Sequence, residues 1–115
     1  MEIKDSGERT RFDTGAVRDM HTEKVKRHEE ICKELNALYS KKNHDYGDSF
    51  HQTFLEEGMA MARIRLGDKF SRFKTLTKSG DRKISDESIR DTLIDLANYA
   101  IMTVMEMEEP ENDRK

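Results

Sequence analysis

The sequence predicts an all-α fold, a bundle of three long helices and one short one, and three observations carry that prediction. Apolar residues recur at three- and four-residue steps in successive segments, the rhythm of one helix face. No segment alternates apolar and polar residues as a half-buried strand does. The single proline, Pro110, follows the last periodic segment, where a helix must stop.

The first helix is expected from about Thr22 to Lys42, with Val25, His28, Ile31, Cys32, Leu35, Leu38 and Tyr39 along its apolar stripe. His28 and Cys32 fall on that stripe, so they read as a packed histidine and an inert core thiol. KKNHDYG, residues 41–47, has no apolar rhythm and closes on a glycine; it reads as a loop or a helix end. Ser49 stands three residues before Gln52, a capping-box pattern, and opens a short helix from Phe50 to about Glu57. Gly58 either breaks that helix or is tolerated within it.

The third helix is expected from about Met59 to Lys78, burying Met59, Ala62, Leu66, Phe70, Phe73 and Thr77 before Ser79-Gly80-Asp81 stops it. The fourth starts near Ser85 or Asp86 and runs to about Glu108. Its apolar stripe is Ile89, Leu93, Leu96, Ala97, Ala100, Ile101 and Val104, and Met102, Met105 and Met107 read as core or interface filler. Residues 1–20, glycine-bearing, charged and aperiodic, form an arm that is flexible or lies on a neighbour. Residues 21–109 make one domain, and residues 110–115 an acidic tail.

At 115 residues, 34% hydrophobic and 39% charged, the chain has little apolar surface to bury on its own. Pairing with further copies, as a dimer or tetramer, is therefore expected. No apolar run approaches the roughly 20 residues of a membrane span. The charged start and the lone Cys32 exclude a secretory leader, a disulfide framework and a cysteine-rich zinc site, so the cytoplasm is the expected location.

A net charge of −3 argues against a duplex-DNA binder. The charge is unevenly spread: residues 63–83 hold eight Lys or Arg against two Asp, and residues 106–115 hold five acids against two bases. Such a juxtaposition suits a site for phosphate and metal, and also an ordinary solvated helical face.

Asp91 and Asp95 are one helical turn apart, with Glu87 and Asn98 extending the row. Paired carboxylates call for a compensating cation, an arginine or a hard divalent ion held jointly with substrate phosphates. Otherwise they are a solvated acidic face near a helix N-terminus. Asp68 and Arg72 are likewise a turn apart, either as an intrahelical ion pair or as metal ligand and phosphate contact, with Lys69 beside them. Glu56 and Glu57 are further carboxylates upstream. In the 41–47 segment, Lys42 suits a phosphate, Asn43 and Asp45 the edge of a base, and Tyr46 and His44 a stacking contact; the same residues are common in turns. His44-Asp45, with His28 and Asp91 or Asp95, also spells the ligand set of an HD-type phosphohydrolase. No phosphate-cradling glycine motif and no serine-nucleophile signal occurs.

Taken together, YSKKNHDYGDSF, EEGMAMARIRLGDKFSRFKTL and DESIRDTLIDLANYAIM resemble a small phage and bacterial family, the nucleotide-modification-associated domain, over about residues 30–108. The carrying elements are KxxDYG (residues 42–47), DKxxR (Asp68, Lys69, Arg72) and DTLxDLANYA (residues 91–100). The helical layout is in turn similar to the all-α NTP pyrophosphatases, the MazG and dimeric dUTPase group. Those enzymes hold Mg²⁺ with ExxE and ExxD on neighbouring helices and release pyrophosphate. Here Ala60 stands where the second Glu of the first motif belongs, and Thr92 at the Glu place of the second. RFDTGAVRDM faintly resembles the opening of a phage dATP/dGTP diphosphohydrolase-like family, which implies a ligand role for Arg11, Thr14 and Arg18.

The resemblance implies a nucleotide-binding oligomer with Mg²⁺, hydrolysing a (d)NTP to the monophosphate in phage or bacterial nucleotide metabolism. Glu57, Asp68, Asp91 and Asp95 are the expected metal ligands, and Asp68, Lys69, Arg72 and Asp95 the expected catalytic set. Lys42, Asn43, Asp45, Tyr46, Asn98 and Tyr99 are the expected substrate contacts. The alternatives are a non-catalytic nucleotide or nucleotide-signal binder, an HD-type phosphohydrolase, and a purely structural helical dimer.

Overall fold

The computed structural model describes residues 14–46, 48–78 and 86–108, with the backbone alone for residues 14–18 and 46. All four elements are helices: α1 (Thr14–Tyr46), α2 (Ser49–Glu57), α3 (Met59–Lys78) and α4 (Asp86–Met107). No strand occurs among the described residues. The expected all-α class is therefore the class observed. No helix among the described residues is long and apolar enough to cross a membrane. Arg11, the 79–85 connection and the tail from residue 109 lie outside the described residues, as do the side chains of Thr14 and Arg18.

The chain divides into two units, Met1–Asn36 and Ala37–Lys115. In the first, α1 is mostly exposed. Val25, His28 and Cys32 all face solvent, contrary to the packed stripe expected there, and among the described residues of this unit only Leu35 is buried. The Cys32 thiol lies 3.6 Å from His28 Nδ1, and Arg27 pairs with Glu30 at 3.3 Å.

The second unit holds the last turns of α1 with α2, α3 and α4. α3 and α4 pack along each other, and α2 lies against both. Helix α1 begins a full two turns before the expected Thr22 and ends at Tyr46, four residues past the expected Lys42, so that of the two readings of residues 41–47, loop or helix end, residues 41–46 are the helix end. A Lys41–Asp45 ion pair of 3.1 Å, one turn apart, supports the final turn. The chain turns instead at Asp48, whose φ of 59° and ψ of 43° are left-handed, a conformation Asp tolerates better than most residues. Asp48 is the N-cap of α2 and makes no side-chain cap bond, so the Ser49–Gln52 box does not form; Ser49 is already helical. Gly58 ends α2 with φ 70° and ψ −153°, a region open essentially to glycine alone. Its N–H donates to the Phe54 carbonyl at 2.8 Å, and its own carbonyl accepts from Met61 N–H at 3.1 Å, which joins α2 to α3 within one residue.

The core of this unit is small: Phe50 and Phe54 of α2, Met61 and Ala62 of α3, with Tyr99 and Met102 of α4 packed on them. Both long helices are turned relative to the expected stripes. On α3, Met59 and Phe70 are exposed, and Arg65, Leu66, Lys69, Phe73 and Leu76 are half-buried. Phe70 carries the Lys74 ammonium 4.9 Å above its ring instead of packing inward. On α4, Leu93, Ala100, Ile101 and Val104 are exposed, while Thr92, Thr103 and Glu106 are buried. The threonines are tolerated because each hydroxyl donates to the carbonyl four residues back, Thr92 to Ser88 at 2.9 Å and Thr103 to Tyr99 at 2.8 Å.

Candidate functional site: a charged cavity between α1, α2, α3 and α4

The polar face of α4 turns inward because its residues 92, 95, 99, 102/103 and 106 recur at three- and four-residue steps. That face meets the last turns of α1, the start of α2 and the middle of α3 around a cavity of about 300 Å³. Tyr39, Lys42 and Asn43 contribute from α1, Asp48, Ser49 and Phe50 from the turn into α2, Arg65 from α3, and Asp95, Asn98, Tyr99 and Met102 from α4. The size falls at the lower end of the range for small-molecule sites, about 300 to 1,000 Å³. The whole cavity lies within the second unit.

Asp95 is the hub of its charge. Lys69 Nζ donates to Oδ2 at 2.9 Å, and Lys42 Nζ lies 3.5 Å from Oδ1. One carboxylate thus ties α1 and α3 to α4, with about a quarter of its side chain exposed. Arg65 has no ion-pair partner among the described residues. Phe50 stacks on Tyr99 with centroids 5.8 Å apart and planes 20° from parallel, giving the cavity an aromatic floor.

Beside the cavity, His51 Nδ1 lies 2.8 and 3.0 Å from the two oxygens of the buried Glu106. A carboxylate only accepts, so His51 Nδ1 carries the proton in this pair. Burial first, and then the negative charges of Asp48 and Glu106, hold the Tyr39 phenol above its ordinary range. It is a neutral hydroxyl at physiological pH, available to a ligand as donor or acceptor.

Of the residues singled out in the sequence, Lys42, Asn43, Asp95, Asn98 and Tyr99 line the cavity and Lys69 is bonded to Asp95. Asp45 is not among the lining residues; it pairs with Lys41 and lies 3.6 Å from His44. The Tyr46 side chain lies outside the described residues. Glu57, Asp68, Arg72 and Asp91 are exposed and do not line the cavity. Among the described residues, no three His, Cys, Asp or Glu side chains converge to hold a metal ion. The expected Mg²⁺ quartet of Glu57, Asp68, Asp91 and Asp95 does not assemble, and neither does an HD-type set around His44 and Asp45. The rotation of α3 explains much of this, because it turns Arg65 and Lys69 toward α4 and leaves Asp68 facing solvent.

Tyr39, Asp48, Ser49, Phe50, Arg65, Met102 and the His51–Glu106 pair are absent from the sequence-derived site. Arg65 carries a usable signal, standing one turn before Lys69 on the same face. Glu106 likewise continues the row of Asp95 and Tyr99. The long-range partnership of His51 with Glu106 has no sequence signal.

Fold and site together define an all-α domain with a charged, aromatic-floored cavity of small-molecule size. The chain belongs to the family described as nucleotide modification associated domain 1, whose sequence profile matches residues 42–107, more than half of its length. That segment contains every cavity residue except Tyr39. No curated protein and no solved structure matches the chain.

Proposed function

We propose that this protein binds a nucleotide in the cavity, within phage or bacterial nucleotide metabolism in the cytoplasm. Arg65 takes the phosphate with partial help from Lys42, Asn43 and Asn98 read the base or sugar, and Tyr99 lies along the ligand. The observation that carries the reading is the convergence of Lys42 and Arg65 with two asparagines and two tyrosines around one cavity, with Lys69 bonded to Asp95 of its wall. Guanidinium and ammonium groups in a partly enclosed site bind phosphate oxygens by charge-assisted hydrogen bonds. Amide side chains present paired donors and acceptors to a base edge. Mg²⁺, in this reading, arrives on the nucleotide's phosphates rather than in a cage of protein carboxylates.

Calorimetry with a panel of ribo- and deoxynucleotides tests it. Binding to the wild-type protein and at least about a tenfold loss in Arg65→Ala are expected, since a hydrogen bond to a charged group contributes roughly 1.5–3 kcal/mol. Equal affinity in both proteins removes the assignment.

A second reading, pyrophosphohydrolysis of a (d)NTP, rests on the half-buried Asp95 facing the cations and on the resemblance to the MazG and dimeric dUTPase group. Pyrophosphate release from a dNTP with Mg²⁺ supports it. No release at high enzyme concentration leaves the non-catalytic binder.

The active species in either reading is a homo-oligomer, dimer or tetramer. Its support is the apolar surface left open on α4, where Leu93, Ile101, Val104, Met105 and Met107 are each 42–53% exposed. Sedimentation should give a mass above that of one chain, reduced by Ile101→Glu.

A further inference from the structure

We infer that the cavity takes a nucleoside monophosphate, bound through Arg65, and that Asp95 is the residue that excludes longer phosphate chains. The inference rests on the nucleotide reading above and adds the number of phosphates.

The charged groups on the cavity wall are Lys42, Arg65, Asp48 and Asp95, and Lys69, outside the lining, donates to Asp95. On the wall two cations face two carboxylates, and Lys69 brings the cations around Asp95 to two. Lys69 and Lys42 are already committed, one to each oxygen of Asp95, at 2.9 and 3.5 Å. Arg65 is the cation with no ion-pair partner among the described residues. One phosphate, carrying a charge of about −2 at neutral pH, matches one uncommitted guanidinium with partial help from the lysines.

Each further phosphate adds negative charge against the same wall. It meets Asp95 and Asp48, and no additional uncommitted cation. Asp95 is oriented by its hydrogen bond from Lys69, with Lys42 near its other oxygen, so turning away from a phosphate breaks the Lys69 bond. Like charges in a partly buried site repel more strongly than in bulk water. Asp95 therefore acts on specificity by occupying, in advance, the two lysines that a second and third phosphate would need.

The reading inverts the usual expectation for a carboxylate beside a nucleotide. A metal-binding Asp is required for triphosphate affinity, whereas here its neutralisation improves that affinity. The test is calorimetry with the mono-, di- and triphosphates of each of the four common deoxynucleosides, in EDTA and at fixed ionic strength. Wild type is expected to bind one monophosphate more tightly than its triphosphate by about tenfold or more, a difference of about 1.4 kcal/mol. Asp95→Asn should shrink that ratio at least tenfold by gaining triphosphate affinity, and Asp95→Glu should retain the wild-type order. A wild-type preference for the triphosphate in EDTA overturns the inference, and needs no variant to be folded. So does an unchanged ratio in Asp95→Asn with a wild-type circular dichroism spectrum. If no nucleotide of any length binds wild type, the broader nucleotide reading falls with it; binding in the wrong order sinks this inference alone.

Discussion

Gly58 shows how one residue fixes the geometry around the cavity. With φ 70° and ψ −153°, it joins α2 to α3 in a conformation that a side chain resists even though open space surrounds the position. Gly67 is the opposite case, mid-helix in α3 with ordinary helical φ and no atom within 4 Å of an added Cβ. Gly58→Ala should cost about 1–3 kcal/mol in urea unfolding, while Gly67→Ala should gain up to about 1 kcal/mol. Equal effects at the two sites would contradict the assigned backbone.

Tyr39 offers a second test at this scale. Its phenol is held above the free value of 10.0, chiefly by burial and then by Asp48 and Glu106. The unfolded chain therefore loses this proton first. The stabilising contribution is complete below about pH 10 and fades as pH rises through the folded value. The melting-temperature advantage of wild type over Tyr39→Phe should shrink as pH is raised past that point. A difference independent of pH would show that the phenol senses neither burial nor the two carboxylates.

At the level of elements, the sequence was most legible where it carried strong stops. The bounds of α3 agree with the expected Met59–Lys78, and α4 differs from its expected span by about one residue at each end. Apolar periodicity established that these segments are helices but misjudged which faces turn inward. On α4 the buried positions include two threonines and a glutamate, whose polarity hid them; their hydroxyls and carboxylate are satisfied by Ser88, Tyr99 and His51. The end of α1 was misplaced for a related reason. Asn43, His44 and Asp45 are weak helix formers, yet the turn is made by Asp48, with Lys41–Asp45 supporting the final turn. Placement of the cavity residues follows from these rotations: Lys42, Asn43, Asp95, Asn98 and Tyr99 stood out in sequence, and Arg65 became visible once α3 was oriented.

At the scale of the molecule, few side chains are buried among the described residues, and Ala62 is the most enclosed of them at 1% exposure. The open apolar face of α4 and the polar face around the cavity are two sides of the same helix. In the proposed assembly, one side is committed to partner copies and the other to the nucleotide. The family match over residues 42–107 spans both.

The most direct test of the central claim, that this cavity is the nucleotide site, is an amide NMR titration with the nucleotide that calorimetry selects. Shifts should concentrate at residues 39–50, Arg65 and residues 95–102. Shifts confined to the first turns of α1 or to the exposed face of α4, with the cavity residues still, would contradict it.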